Sequence, residues 1–199
     1  RRYIDTYTHA KLFGSYELND EPLAPAENDA FCEALDVALS DVDVVIVADY
    51  GHGLITPRAI DLLCRKAPFL AVNTQLNAGN AGFHTVSRYP RADYVCIHEG
   101  ELRLDTRSIR GDVRELTREV ASRLHAKTVM VTRGKCGTLI HREGQGFYEC
   151  PSFAEKVVDR MGAGDAVLAL TSMCAAAGTP LEVLGFLGNL AGAQAVATI

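Results

Sequence analysis

Short, unbroken apolar runs separated by helix-patterned stretches are the feature that most constrains this chain. The stretch "DVDVVIVADYGHG" holds such a run, Val44 to Ala48, bounded by acids and glycines. A strand without polar alternation has no face to give to water, so it belongs inside a parallel sheet covered on both sides. "TPRAIDLLCRKA" follows it. Thr56 suits a helix N-cap, Pro57 suits the first helical position, and Ile60, Leu63 and Cys64 share one face. "FLAVN" (Phe69–Asn73) and "DYVCI" (Asp93–Ile97) predict two more strands. "DVRELTREVASRLHA" (Asp112–Ala126) predicts an amphipathic helix with Val113, Leu116, Val120 and Leu124 on one side. "KTVMVTRG" (Lys127–Gly134) predicts a strand ending in a turn, and "GTLIHREGQGFYEC" (Gly137–Cys150) a hairpin turning near Gly144. Strands alternating with helices in this way predict an α/β fold, a largely parallel sheet flanked by helices.

The two ends differ from this body. "RRYIDTYTHAKLFGSYELND" is polar and tyrosine-bearing and lacks helical spacing, which predicts one or two strands of a small flap. The proline-containing link "EPLAPAEN" then leads to a helix over Asp29–Ser40. The expected division is a lid-like flap over residues 1–25 and an α/β body over 26–199. Between Asp165 and Ile199 the only charge is Glu182, and Gly178 and Pro180 split that apolar region into two pieces, each short for a membrane span. Two helices buried on a sheet are expected there, with no membrane partner. The first residues lack the apolar centre of a signal peptide.

The 199 residues suffice for one sizeable core, and 48% apolar with 23% charged residues describes a globular chain. A formal charge of −5 with no basic run argues against a nucleic-acid surface. The six cysteines are far apart and form no C-x-x-C pair. Reduced, buried thiols of a cytoplasmic protein are expected rather than a zinc or redox motif.

"VVDRMGAGDAVLAL" (Val157–Leu170) concentrates the chemistry. A strand-like valine run stops at Asp159, passes two glycines, and restarts as an apolar helix near Ala163 or Gly164. In open α/β sheets ligands bind beyond the carboxyl ends of the strands. The first amides of a helix lack internal partners and its dipole is positive there, while Gly162 and Gly164 carry no side chain to keep an anion away. Asp165 is out of place beside an anion unless it has work of its own, such as accepting the proton of a hydroxyl that attacks a phosphoryl group. The plain alternative is a helix N-terminus with an acid placed to suit the dipole. The pattern is neither G-x-x-x-x-G-K-[ST] nor G-x-G-x-x-G.

"DRMGAGDAV" resembles the D-T-x-G-A-G-D signature of the PfkB/ribokinase family of sugar and nucleoside kinases. "VVIVADYGHGLIT" resembles that family's central strand and following loop, and "VMVTRGKCGTLI" its T-x-G-x-x-G strand-turn near the ATP phosphates. "LGNLAGAQAVATI" is similar to its late Ala-rich helix with an Asn beside the adenine. The order is the expected one from about Val44 onward. Within the family, the kinase halves of ADP-heptose synthases are most similar, through "DY-G-x-G" and a lid-like stretch comparable to "KLFGSYELND".

The resemblance implies a ribokinase-like fold and a cytoplasmic carbohydrate kinase using ATP and Mg²⁺ on a sugar or sugar-phosphate. It also implies a homo-oligomer and a possible fused nucleotidyltransferase domain. It assigns Asp165 as catalytic base, with Gly162, Ala163 and Gly164 as the anion hole. Thr132, Gly134 and Gly137 would line the nucleotide phosphates or ribose, Asn189 would lie near the adenine, and Glu101 would organise Mg²⁺ through water. The chain departs from the pattern at Arg160, Met161 and Ala166, at His98 in place of the N-x-x-E asparagine, and at "NTQ" (Asn73–Gln75) where relatives often read D-P-K. Arg160 either replaces the lost cation or faces solvent. His98 and Glu99 follow a strand end; two residues alone are a weak metal signal, and a polar loop is expected rather than a metal site. Asp49, Tyr50 and His52 either touch substrate or flap, or only end their strand. The N-terminal part of the fold, with most sugar-selecting residues, is expected to be missing, leaving an apolar sheet edge. A degenerate, non-catalytic nucleotide- or sugar-binding module and a nucleoside kinase are the alternatives.

Overall fold

The computed structural model describes residues 1–7, 11–17, 21–77, 79–80, 82–155, 157–159 and 161–197. Two short strands, β1 (Arg2–Ile4) and β2 (Lys11–Gly14), pair antiparallel as a separate two-stranded sheet. Tyr3 stands opposite Phe13 in that ladder, and the two rings stack with centroids 4.3 Å apart. Tyr7, Leu12 and Tyr16 are exposed on the same flap.

The body is one six-stranded sheet in the order β3-β4-β5-β6-β7-β8. Its strands are β3 (Val45–Asp49), β4 (Leu70–Thr74), β5 (Tyr94–His98), β6 (Thr128–Thr132), β7 (Thr138–Arg142) and β8 (Gly146–Cys150). β3 to β6 run parallel, and the β7–β8 hairpin closes the far side antiparallel. Among the described residues β3 is an edge strand, as is β8, and Ile46 and Ala48 on one face of β3 are exposed, so the run Val44–Ala48 is not covered on both sides as expected; its neighbours β4 to β6 are.

Side chains alternate across the sheet, and the two sets enter different cores. Leu70, Val72, Val95, Ile97, Val129 and Val131 join one cluster with four helices, α1 (Pro25–Ala38), α2 (Pro57–Lys66), α3 (Glu99–Asp105) and α4 (Val113–Arg123). Ala71, Tyr94, Cys96, Met130 and Ile140 join the other with α5 (Ala163–Ala176) and α6 (Leu181–Ala197). Burial on both faces explains why the central strands read as unbroken apolar runs. Tyr94 is fully buried and spends its hydroxyl on Thr171 Oγ1 of α5 at 2.8 Å.

Helix starts follow local chemistry. Thr56 Oγ1 accepts from the Ala59 amide and donates to Asn28 Oδ1 at 2.7 Å, tying the start of α2 to α1. Asp112 caps α4 through the Arg114 and Glu115 amides. α1 begins at Pro25, four residues before the expected start, because Pro25 opens the helix and Glu27 reaches back to the Ala24 amide at 2.9 Å.

Two further expectations are corrected. His98 and Glu99 do not lie in a polar loop: His98 ends β5 and Glu99 opens the helix Glu99–Asp105. His98 Nδ1 accepts from the Gly100 amide, and Glu101 Oε2 accepts from the His98 amide at 2.7 Å, a reciprocal cap with histidine in the place of serine. Val157 and Val158 form no strand; both are partly exposed. Val158 and Asp159 instead donate their amides to the Val196 carbonyl in α6. The cysteines are all unpaired, with Cys32, Cys96 and Cys150 buried, but Cys136 is exposed. No helix among the described residues is long and apolar enough to cross a membrane.

Gly137 joins the turn after β6 to β7 with φ +77°. A Cβ there would lie 2.0 Å from the Cys150 carbonyl oxygen and 2.7 Å from the Pro151 carbonyl carbon. Gly137→Ala is expected to cost more than about 3 kcal/mol, since both conformation and space exclude a side chain. Urea denaturation measures it, and a loss below about 1 kcal/mol would contradict the close approach.

Candidate functional site

The parallel strands end together, and their carboxyl ends open onto a cleft of about 850 Å³. Asn73 and Gln75 from β4 and its turn, Ile97 and His98 from β5, and Thr132 from β6 line its floor. Ala163, Gly164 and Asp165 at the start of α5 line one side, and Gly188, Asn189, Gly192 and Ala193 of α6 another. The cleft thus sits where an open α/β sheet places ligands.

The start of α5 is built for an anion. Gly162 is its N-cap in the left-handed region, φ +78°. The Gly162 carbonyl accepts from the Ala166 amide, so the helix proper begins there, while the amides of Ala163, Gly164 and Asp165 have no protein partner among the described residues. A Cβ at Gly162 or Gly164 would meet nothing within 4 Å. The protein's own packing therefore does not require glycine at Gly164; open space in front of three unpaired amides fits a phosphate. Gly162 itself shapes the turn and does not line the cleft.

Asp165 lines the cleft in the first turn of α5 and accepts from the Tyr50 hydroxyl at 2.9 Å through Oδ2. Tyr50 follows β3, so this bond joins the outer parallel strand to α5. Behind it lies a buried polar cluster. The Asp49 carboxylate, 3% exposed, accepts from His84 Nε2 at 2.9 Å, the Tyr89 hydroxyl at 2.7 Å and the Gly51 amide at 3.1 Å. Burial pushes the Asp49 carboxyl upward, but the His84 and Tyr89 hydrogen bonds and the His84 charge outweigh it and hold the group below its ordinary value. On the far side of the imidazole, Nδ1 faces the Arg88 guanidinium.

The remaining predicted residues are brought to the same cleft in different states of engagement. Glu101 lines it with both oxygens committed, Oε1 to the Leu76 amide at 3.0 Å and Oε2 to the His98 amide. Burial raises its carboxyl despite those two donors. Asn189 is buried against the cleft wall, and its amide donates to Thr138 Oγ1 and the Gly185 carbonyl, both at 2.9 Å. It therefore also anchors α6 to β7. Thr132, Gly134 and Gly137 line the cleft around the turn over Gly134–Cys136. Arg160 lies outside the described residues. No cluster of three or more metal-ligating side chains occurs among the described residues.

Lys135, in the x-x of T-x-G-x-x-G, joins the predicted residues at the cleft. It lines the cleft and forms no ion pair among the described residues, whereas its neighbour Arg133 is held by Glu99 and Glu149. The signal was a lysine inside a glycine turn after a strand. Asn73, in the place of an acid, donates to the Cys96 carbonyl at 2.7 Å and so braces β4 against β5.

Removing the Asp49 carboxylate strands a buried imidazole and a buried phenol. Asp49→Ala is expected to cost about 3–5 kcal/mol in chemical denaturation. In the unaltered protein the contribution of Asp49 is complete above about pH 4, the ordinary carboxylate value, and is lost as the pH falls through its lower value in the fold. A stability profile from pH 6 to pH 2 that is the same with and without this carboxylate would contradict the assignment.

Comparison with known proteins gives a consistent answer. The family model described as pfkB family carbohydrate kinase matches residues 23–199. The Bifunctional protein HldE of Shewanella piezotolerans is 29% identical over 184 residues, covering 90% of this chain and 37% of that protein. HldE of Chromohalobacter salexigens is 27% identical over 180 residues, covering 89% and 37%. The chain thus spans a little over a third of the length of these curated relatives. Among solved structures, a phosphofructokinase-2 mutant from Escherichia coli superposes with a TM-score of 0.73 at 18% identity, covering 89% of this chain and 59% of that one. Ribokinase from Thermotoga maritima superposes at 0.67 and 18% identity, covering 87% and 57%. The mostly parallel, helix-flanked sheet is shared with these neighbours, and the chain belongs to the pfkB family of carbohydrate kinases.

Proposed function

We propose that this chain carries the nucleotide site and the catalytic base of an ATP-dependent sugar kinase. The observation that carries the reading is the start of α5: three unpaired amides facing open space beside a carboxylate in the same cleft. In this reading the Ala163, Gly164 and Asp165 amides hold the transferring phosphoryl group and stabilise the charge that grows on it. Asp165 takes the proton of the acceptor hydroxyl. Lys135 supplies a cation to the nucleotide phosphates. Thr132, Gly134 and Gly137 line the phosphate or ribose end, and Gly188, Asn189, Gly192 and Ala193 form the wall for the base.

ATP bound with Mg²⁺ supplies the γ-phosphoryl group and neutralises part of its charge. Glu101 suits an indirect contact to such an ion, through water and phosphate, because its oxygens are already engaged by backbone amides. The acceptor is a sugar or sugar-phosphate, in line with the family, and residues 1–25 act as a lid. A second catalytic domain, a nucleotidyltransferase, belongs to the full-length protein in this reading; the relatives are named bifunctional, and this chain covers 37% of the first two. A homo-oligomer and a cytoplasmic location complete the proposal.

A binding module without turnover is the competing reading. Asn73 and His98 favour it, since each spends its side chain on the backbone where relatives of this pattern keep catalytic polar groups. Two variants of the full-length protein separate the readings. Asp165→Asn is expected to abolish phosphoryl transfer from ATP–Mg²⁺ across a panel of aldoses and their phosphates while nucleotide affinity in calorimetry stays within about twofold. Turnover equal to that of the unaltered protein would defeat the base assignment, and tight ATP binding with no transfer by the unaltered protein would establish the module. Lys135→Ala is expected to weaken ATP binding about tenfold or more, the value of a charge-assisted contact, and to weaken adenosine binding hardly at all.

A further inference from the structure

The turn after β3 carries a side chain to which the phosphate-loop reading gives no task. Tyr50 is 39% exposed, so burial does not compel its hydroxyl to find a protein partner. Water would satisfy it. Yet the hydroxyl donates to Asp165 Oδ2 at 2.9 Å, across 115 residues of sequence.

What aims this phenol is the main chain beneath it. The Tyr50 carbonyl accepts two side-chain amides, Asn77 Nδ2 at 2.7 Å and Asn80 Nδ2 at 3.1 Å. Asn80 Nδ2 also donates to the Gln75 carbonyl at 2.6 Å. The residue before, Asp49, is held by His84 and Tyr89. The residue after, Gly51, has φ +75°, and a Cβ on it would lie 2.7 Å from His84 Cγ and 3.0 Å from Asn80 Nδ2. Asp49 and Tyr50 are thus held by, and Gly51 lies close against, the side chains of Asn77, Asn80, His84 and Tyr89. Desolvating an acid, an imidazole and a phenol is costly, and a turn that only ended a strand would not require it.

We infer that Tyr50 is a positioning residue for Asp165, holding Oδ2 so that Oδ1 is left to receive the acceptor's proton, and that Asn77, Asn80, His84 and Tyr89 form the clamp that aims it. The inference rests on the reading of Asp165 as the base. In the step it serves, the acceptor O–H bond breaks and its proton passes to Asp165 Oδ1. The acceptor oxygen bonds to the γ-phosphorus, and the bond from that phosphorus to the bridging oxygen breaks, leaving ADP. The phenol keeps its own proton throughout. Its titration is raised, by burial first and then by the hydrogen bond to the Asp165 carboxylate, which suits a constant donor.

Oriented carboxylates matter because transfer needs the reacting atoms within a narrow range of distance and angle, and a base free to rotate spends part of its time turned away. Losing the phenol hydroxyl removes orientation and leaves the nucleotide's own contacts intact, so the loss belongs in kcat.

The test uses the full-length protein with ATP–Mg²⁺ and water as the acceptor, comparing the unaltered protein with Tyr50→Phe, Asn80→Ala, the pair combined, and Asp165→Asn. Tyr50→Phe is expected to lower kcat at least fivefold with KM for ATP and the thermal midpoint unmoved. Asn80→Ala is expected to lower kcat in the same way, and the combined variant to be no slower than Tyr50→Phe, because both act through one contact. Tyr50→Phe hydrolysing ATP at the unaltered rate while Asp165→Asn is inactive overturns the Tyr50 inference alone. Asp165→Asn remaining active overturns the base reading and the role of Tyr50 with it. A readout independent of turnover is the Asp165 carboxylate in crystal structures of the unaltered protein and Tyr50→Phe: a rotated carboxylate in the variant is expected, and the same orientation in both overturns the inference.

Discussion

Burial of the central parallel strands, β4 to β6, on both faces is the constraint on which the rest of this molecule depends. Leu70 and Val72 enter one core while Ala71 enters the other, and the same alternation recurs at Val95, Cys96 and Ile97 and again at Val129, Met130 and Val131. A strand so buried can present chemistry only at its ends, because every side chain along its length is committed to packing. β3 to β6 are parallel, so those ends lie on one side, and Asp49, Asn73, His98 and Thr132 come to the same rim. The cleft follows from packing before any ligand is considered.

That rim is finished by two polar arrangements of opposite character. At α5 the backbone is left unpaired and open, which costs little in solvent and favours an anion. Beneath Tyr50 the polar groups are buried and fully paired, which makes the turn rigid. In the proposed reading the first binds and the second aims. Glu101 and Asn189 belong with the rigid set: each lines the cleft, and each is held by the protein's own donors or acceptors.

Much of the fold was legible because period and punctuation agreed with it. The runs at Val44, Phe69, Asp93 and Lys127 each became strands within a residue or two, the Thr56 cap opened the helix it was expected to open, and the amphipathic stretch after Asp112 became a helix. The exceptions have local causes. The helix from Glu99 was hidden because histidine is an uncommon cap and the helix has only seven residues. Pro25 sits in a stretch whose prolines read as a link, although proline is favoured at the first helical position. Val157 and Val158 have strand propensity and no strand beside them, so tertiary placement overrode it. In the candidate site the glycine turn and Asp165 could be read directly. Asp49 and Tyr50 stood out as candidates without partners, while Lys135 and the Asp49–His84–Tyr89 cluster could not be read, because the cluster joins positions 35 and 40 residues apart whose proximity exists only after β3 and β4 have paired.

The two amides of Val158 and Asp159 share a single acceptor, the Val196 carbonyl in the last turn of α6. The stretch that leads into Gly162 therefore hangs from the far end of the helix whose Gly188, Gly192 and Ala193 wall the cleft. Asn189 in turn pins α6 to β7, so the approach to α5, the wall of the cleft and the antiparallel hairpin all hang on one helix.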